Sequence, residues 1–204
     1  MKKIYICNEG DKLKHNKDYL DSLQNDLKNW LSKERYIHTQ GVVEVAVELA
    51  KKNDVNIEKT IIAALLHDYA KPLSQKELFQ YAERINDDID KIEFKIPSVL
   101  HAPVGAFLVK RKYDIINKDI LEAIRYHTIG NPEMSKLALI VFAADFIEPN
   151  RDFPGVERLR NIAKGNLSQL IVAVCDQSIK YNINEKKIIH PNTLLLRNEY
   201  LGGK

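Results

Sequence analysis

The run IIAALLHDYAK, residues 61 to 71, sets His67 and Asp68 directly after six apolar residues, Ile61 to Leu66. A segment this apolar belongs in a core, where an ionised carboxylate pairs, takes up a proton or holds a metal ion. Asp145 repeats the situation inside MSKLALIVFAADFIEP, which is apolar around nearly its whole helical circumference from Leu137 to Ile147. Two bare acids facing each other would destabilise both helices, so a shared cation is the economical solution; pairing of each acid with a nearby Lys or Arg is the alternative. Four histidines, His38, His67, His101 and His127, fall in separate helical segments or at their ends, and no HxxxH pair occurs. Imidazole with carboxylate suits iron, manganese, zinc or cobalt, whereas magnesium alone would prefer more oxygen ligands. An ion held there would acidify a water and polarise a phosphoryl oxygen, which is the chemistry of phosphoester or phosphoanhydride hydrolysis.

Cations stand beside these positions. Arg35 lies one helical turn before His38 and shares its face, and Lys71 follows Asp68 by three residues. Arg151 comes just after Pro149, which should end its helix and turn the chain across the site. Guanidinium forks match phosphate oxygens, and solvated surface charge is the plainer reading of each cation. No Walker loop and no GxGxxG occurs, so phosphate binding would rest on metal and side chains.

The elements that must carry these residues are helical. Leu20, Leu23, Leu27, Trp30 and Leu31 form one apolar stripe, and Val42, Val43, Ala46, Val47, Leu49 and Ala50 a broader one. A buried third helix is expected over Ile57 to Ala70, ended by Pro72, and SQKE at 74 to 77 has the form of a capping box opening a fourth. Further helices are expected over Ser98 to Lys112, Asn117 to Tyr126, Ser135 to Ile147, Val156 to Ala163 and Leu167 to Tyr181, with a last one after Pro191. KIYIC near the N-terminus could form a short strand or a frayed arm. The fold class is all-α, and 204 residues suffice for one full core. A formal charge of +3 is too small and dispersed for a nucleic-acid surface, and no run of about twenty apolar residues offers a membrane span. Two cysteines in no metal-like spacing, Cys7 and Cys175, fit free thiols, so the expected location is the cytoplasm.

The order His38, then His67 and Asp68, then Asp145 resembles the H…HD…D signature of the HD-domain metal-dependent phosphohydrolases. RYIHT (35 to 39), LLHDYAK (65 to 71), LHAPVGA (100 to 106), YHTIG (126 to 130), ADFIEPNR (144 to 151) and HPNTLLLRN (190 to 198) are similar to the YqeK group of that family. The resemblance runs from about residue 17 to 200. It implies a single HD-domain helical bundle over 17–204, with a metal site between central helices and an N-terminal arm at 1–16. It also implies symmetric hydrolysis of diadenosine tetraphosphate to two ADP, through attack of a metal-bound hydroxide on an inner phosphorus.

The resemblance implies iron, as one or two ions, with His38, His67, Asp68 and Asp145 as ligands; manganese, cobalt or zinc would suit the same donors. His67 and Asp68 point about 100° apart, leaving Asp68 free to bridge to a second ion. His101 and His127 would complete that second site or hydrogen-bond substrate phosphates, with Asp68, Lys71, His101 and His127 as the catalytic group. Substrate contacts are expected from Arg35, His101, His127, Thr128, Glu148, Arg151, His190, Thr193 and Arg197, the last three around a strip that closes over the nucleoside. The implied partners are a dinucleoside polyphosphate and ADP, with no nucleic acid and no membrane; a homodimer stays open. Alternatives are an HD-domain nucleotidase or phosphatase acting on another nucleotide, and a non-catalytic nucleotide sensor. An alarmone hydrolase fits less well, since Lys71 and Pro72 stand where that family carries acids. The GYP motif of cyclic-dinucleotide phosphodiesterases is absent.

Overall fold

A computed structural model describes residues 14–85 and 89–202, without the side chains of residues 14–17. KIYIC and most of the 1–16 arm lie outside the described residues. Ten α-helices and no strand occur among the described residues: α1 (Lys14–Trp30), α2 (Lys33–Lys52), α3 (Ile57–Leu66), α4 (Gln75–Arg84), α5 (His101–Lys112), α6 (Lys118–Tyr126), α7 (Lys136–Ile147), α8 (Val156–Ala163), α9 (Leu167–Asn184) and α10 (Pro191–Leu201). The all-α expectation is borne out. No described helix is long and apolar enough to cross a membrane.

Local chemistry sets the helix starts. Ser32, Asn56, Asn117, Ser135 and Asn166 each accept a backbone N–H of the first turn of α2, α3, α6, α7 and α9. Ser74 and Glu77 form the reciprocal capping box of α4, and these bonds hold the Glu77 carboxyl below its usual range. Pro191 takes the first position of α10, where its missing N–H is not needed.

The core forms around α7. Its residues Leu137 to Ala144 are all buried, and it packs against α2, α3, α6, α8 and α9. Ile62 to Leu66 of α3 and Val42, Ala46, Leu49 and Ala50 of α2 close the same core, each large side chain contributing about 1.5–3 kcal/mol through burial. α5 and α6 form an antiparallel pair, and α10 lies on α9.

Two expected boundaries differ. α3 ends at Leu66 rather than Ala70, and residues 67–72 form tight turns in which Tyr69 N–H donates to Leu66 O and Lys71 N–H to Asp68 O. The apolar run continues past the helix end because Tyr69 and Ala70 are buried from outside the helix. α5 starts at His101, after a 3-10 turn at Pro97–Val99.

Candidate active site

Four histidines converge on Asp68 from four elements. His67 is the C-cap of α3, His127 the C-cap of α6, and His101 the first residue of α5. Each sits where a carbonyl three residues back is free of helical duty. Their Nδ1–H groups donate to Ala64 O at 2.7 Å, Ile124 O at 2.8 Å and Ser98 O at 2.8 Å respectively. A carbonyl can only accept, so Nδ1 carries the proton and each neutral ring aims an Nε2 lone pair inward. His38 differs: it lies within α2 and donates Nδ1–H to the Glu148 carboxylate at 3.1 Å.

The four Nε2 atoms divide between the two oxygens of Asp68, whose side chain is 3% exposed. Oδ2 lies 3.4 Å from His67 and 3.6 Å from His38, while Oδ1 lies 3.1 Å from His101 and 3.4 Å from His127. Asp145 Oδ1 adds a second carboxylate, 3.1 Å from His38 Nε2 and 4.0 Å from His67 Nε2. The His101 and His127 Nε2 atoms approach within 3.0 Å. With every ring neutral this is a set of acceptors facing acceptors, and among the described residues the buried Nε2 atoms of His38 and His67 find no hydrogen-bond partner. Such an arrangement needs positive charge at its centre, either protons or a metal ion.

The geometry fits an ion. Donors about 2.1 Å from a divalent metal are separated by about 3.0 to 3.4 Å in octahedral and tetrahedral arrangements, close to most of the separations above. Two overlapping donor groups, His38, His67 and Asp145, and His67, Asp68 and His127, each fall within 4.8 Å.

Burial and neighbouring charge shift the titrations of the cluster in both directions. Burial disfavours the Asp68 and Asp145 carboxylates; the neighbouring imidazoles, and for Asp145 the Arg151 guanidinium, outweigh it and hold both below the usual carboxylate range. His67 is pushed up, its burial offset first by the charge of Asp68 and then by that of Asp145. His101 is pushed down to about 4, first by burial, with Lys71 adding to the effect.

Arg35 and Arg151 flank the cluster. Arg35 donates Nη1–H to Asp68 Oδ2 at 2.7 Å. Arg151 donates Nη2–H to Asp145 Oδ1 at 2.5 Å and Nε–H to the backbone O of Asp145 at 2.8 Å. Lys71 is exposed, and its ammonium is shifted down by desolvation and by Arg35 and Arg151, against the pull of Asp68 and Asp145. The Thr128 hydroxyl is buried and has no hydrogen-bond partner among the described residues.

The C-terminal candidates are arranged differently. Thr193 Oγ1–H donates to Ile129 O at 2.8 Å, tying α10 to the corner after His127. His190 caps α10, its Nδ1 accepting from Asn192 N–H at 3.2 Å while Nε2–H donates to Asp90 at 2.7 Å. Arg197 pairs with Asp176 of α9 and donates to Asn198 at 3.3 Å, and none of its bonds reaches the histidine cluster.

Two supporting cations carry no motif and went unread in the sequence. Arg125 grips the buried Glu93 through both carboxylate oxygens, at 2.7 and 2.6 Å. Arg160 of α8 donates to the carbonyls of Ile147, Glu148 and Arg151 at 3.0, 2.6 and 2.9 Å, satisfying the end of α7 and the elbow beyond it. Only its four-residue spacing from Val156 on an amphipathic helix hints that it faces inward. Arg160→Leu strands those carbonyls and is expected to lower stability by about 2 kcal/mol in urea denaturation; a loss under about 0.5 kcal/mol would show that water replaces it.

A helical bundle that aims the signature histidine–aspartate pair and two flanking ligand candidates at one point is the architecture of an HD domain. The HD domain family model matches residues 35–150, and the chain belongs to that family. Its relatives are more specific. The chain is 38% identical to the symmetrical bis(5'-nucleosyl)-tetraphosphatase of Bacillus subtilis, over 87% of this chain and 95% of that one. It is 41% identical to the protein of the same name from Halalkalibacterium halodurans, over 86% and 93%. The crystal structure of an HD superfamily hydrolase from Clostridium acetobutylicum, described as involved in NAD metabolism, superposes with a TM-score of 0.85 at 35% identity, covering 90% of this chain and 97% of that one.

Proposed function

We propose that this protein hydrolyses diadenosine tetraphosphate symmetrically to two ADP, with a divalent metal ion held by His38, His67, Asp68 and Asp145. The observation that carries the reading is the inward convergence of four Nε2 lone pairs and two carboxylates on one buried point. A bound divalent ion supplies Lewis acidity and a nucleophile at neutral pH. Iron is the metal of the reading because the resemblance to the YqeK group implies it; manganese, cobalt or zinc would suit the same nitrogen and carboxylate donors.

The chain's own residues do the rest. Asp68 Oδ2 faces the ligand pair His38 and His67, and Oδ1 faces His101 and His127, so one carboxylate links the metal donors to the two remaining imidazoles. His101, kept neutral by burial and with its Nδ1–H committed to Ser98 O, offers Nε2 as an acceptor for the proton of an attacking water. Arg35, Arg151 and Lys71 surround the point with positive charge for a polyphosphate, and the guanidinium forks of the two arginines match phosphate oxygens. Thr128, next to His127 in the chain, is the remaining phosphate candidate, its buried hydroxyl without a partner among the described residues. The strip at His190 to Thr193, tied to Asp90 and Ile129, would close over the nucleoside, as the resemblance implies. A nucleotide substrate and ferrous iron both belong in a reducing cytoplasm.

Product analysis decides the chemistry. Metal-loaded protein incubated with diadenosine tetraphosphate should give ADP alone by ion-exchange chromatography. AMP with ATP would reject symmetric cleavage, and ADP binding without turnover would make the protein a sensor.

A further inference from the structure

We infer that Glu148 is a positioning residue for His38 and makes no contact with substrate. The inference rests on the metal reading of the histidine cluster and extends it to a residue outside the donor set. His38 is set apart from the other three rings by its place in the helix. His67, His101 and His127 occupy helix ends, where a carbonyl is available to accept Nδ1–H. Around His38 the carbonyls of the preceding turn serve the N–H groups of α2, so its Nδ1 needs a side chain from elsewhere.

Glu148 answers that need from the elbow after α7, 110 positions along the chain. It is 1% exposed, and both of its oxygens are engaged. Oε1 accepts Nδ1–H of His38 at 3.1 Å; Oε2 accepts the backbone N–H of Asn150 at 2.7 Å and its side-chain Nδ2–H at 3.0 Å. A carboxylate and a phosphate are both acceptor-only anions, so Glu148 has no donor to offer a phosphate. Space for it is provided on α2 by Gly41, one turn beyond His38: a Cβ at that position would stand 2.4 Å from Glu148 Oε2. The missing side chain lets the elbow close on the helix.

A carboxylate in this position fixes the tautomer, aims Nε2 at Asp145 and Asp68, and makes the ring a stronger donor than a carbonyl partner would. Of the four rings, His38 alone receives that charge.

Cobalt(II) binding to the full chain tests this without substrate. Glu148→Ala should weaken Co(II) about 10- to 100-fold in a chelator competition and change the visible absorption of the bound ion. Glu148→Gln, which keeps an acceptor for Nδ1–H but loses the charge, should fall between that variant and wild type. Wild-type affinity and spectrum in both variants, or a change confined to KM for the dinucleotide, overturns the inference. Should Glu148→Ala fail to fold by circular dichroism, Glu148→Gln decides alone, and an affinity within about twofold of wild type overturns it. Absence of Co(II) binding by the wild-type chain overturns the metal reading itself, a result distinct from equal binding by all three proteins.

Discussion

Asp68→Asn is expected to fold and to lose turnover of diadenosine tetraphosphate by about 10³-fold or more. The substitution preserves the shape of the side chain and one carbonyl oxygen, so Arg35 keeps an acceptor. It removes the charge that faces both histidine pairs, His38 with His67 and His101 with His127, at 3.1 to 3.6 Å. An ion needs that charge because burial strips away the water that would otherwise balance it. Metal content should fall with the rate, measured by elemental analysis of protein purified without oxygen. A loss below about tenfold with metal retained would show that Asp68 serves only to orient its neighbours.

Arg125→Met carries the largest expected stability effect. Glu93 is 1% exposed and its two oxygens receive both guanidinium nitrogens, with Asp90 N–H at 3.0 Å as a further donor. Removing the cation leaves a buried carboxylate with one backbone bond, which costs about 3 kcal/mol or more. For a chain of this size that lowers Tm by about 6 to 12 °C. The pair joins α6, two residues before His127, to the segment leading to Ser98, whose carbonyl holds the His101 ring. Its loss should therefore reduce activity at temperatures well below the midpoint. Thermal denaturation followed by circular dichroism, compared with the rate at 25 °C, measures both, and a Tm shift under about 2 °C would mean that Glu93 is stable without its partner.

Much of this fold could be read from periodicity, since α2, α6 and α7 each declare an apolar face or circumference and begin at a capping residue. The capping box at Ser74 and the proline start of α10 were equally legible, because both signals are local. The end of α3 was not. Tyr69 and Ala70 continue an apolar pattern although the chain has already left the helix, and burial contributed by α1 and α4 cannot be seen from within one segment. At the site, residue types and order pointed to His38, His67, Asp68 and Asp145, while their partners are distant in sequence. Nothing near His38 announces Glu148, nothing near Asp90 announces His190, and Arg160 reads as one more charge on a surface helix. Pairings over a hundred residues are properties of packing.

Trp30 is the only tryptophan of the chain. Its ring stacks on Tyr69 at 5.7 Å between centroids, and its Nε1–H donates to the backbone O of Tyr69 at 2.7 Å. That carbonyl belongs to the turn that begins with His67 and Asp68. The molecule therefore carries an intrinsic fluorophore fastened one residue from its central carboxylate. Its emission reports the state of that turn in unlabelled protein, so events at the cluster can be followed optically on a millisecond scale, apart from any measurement of product.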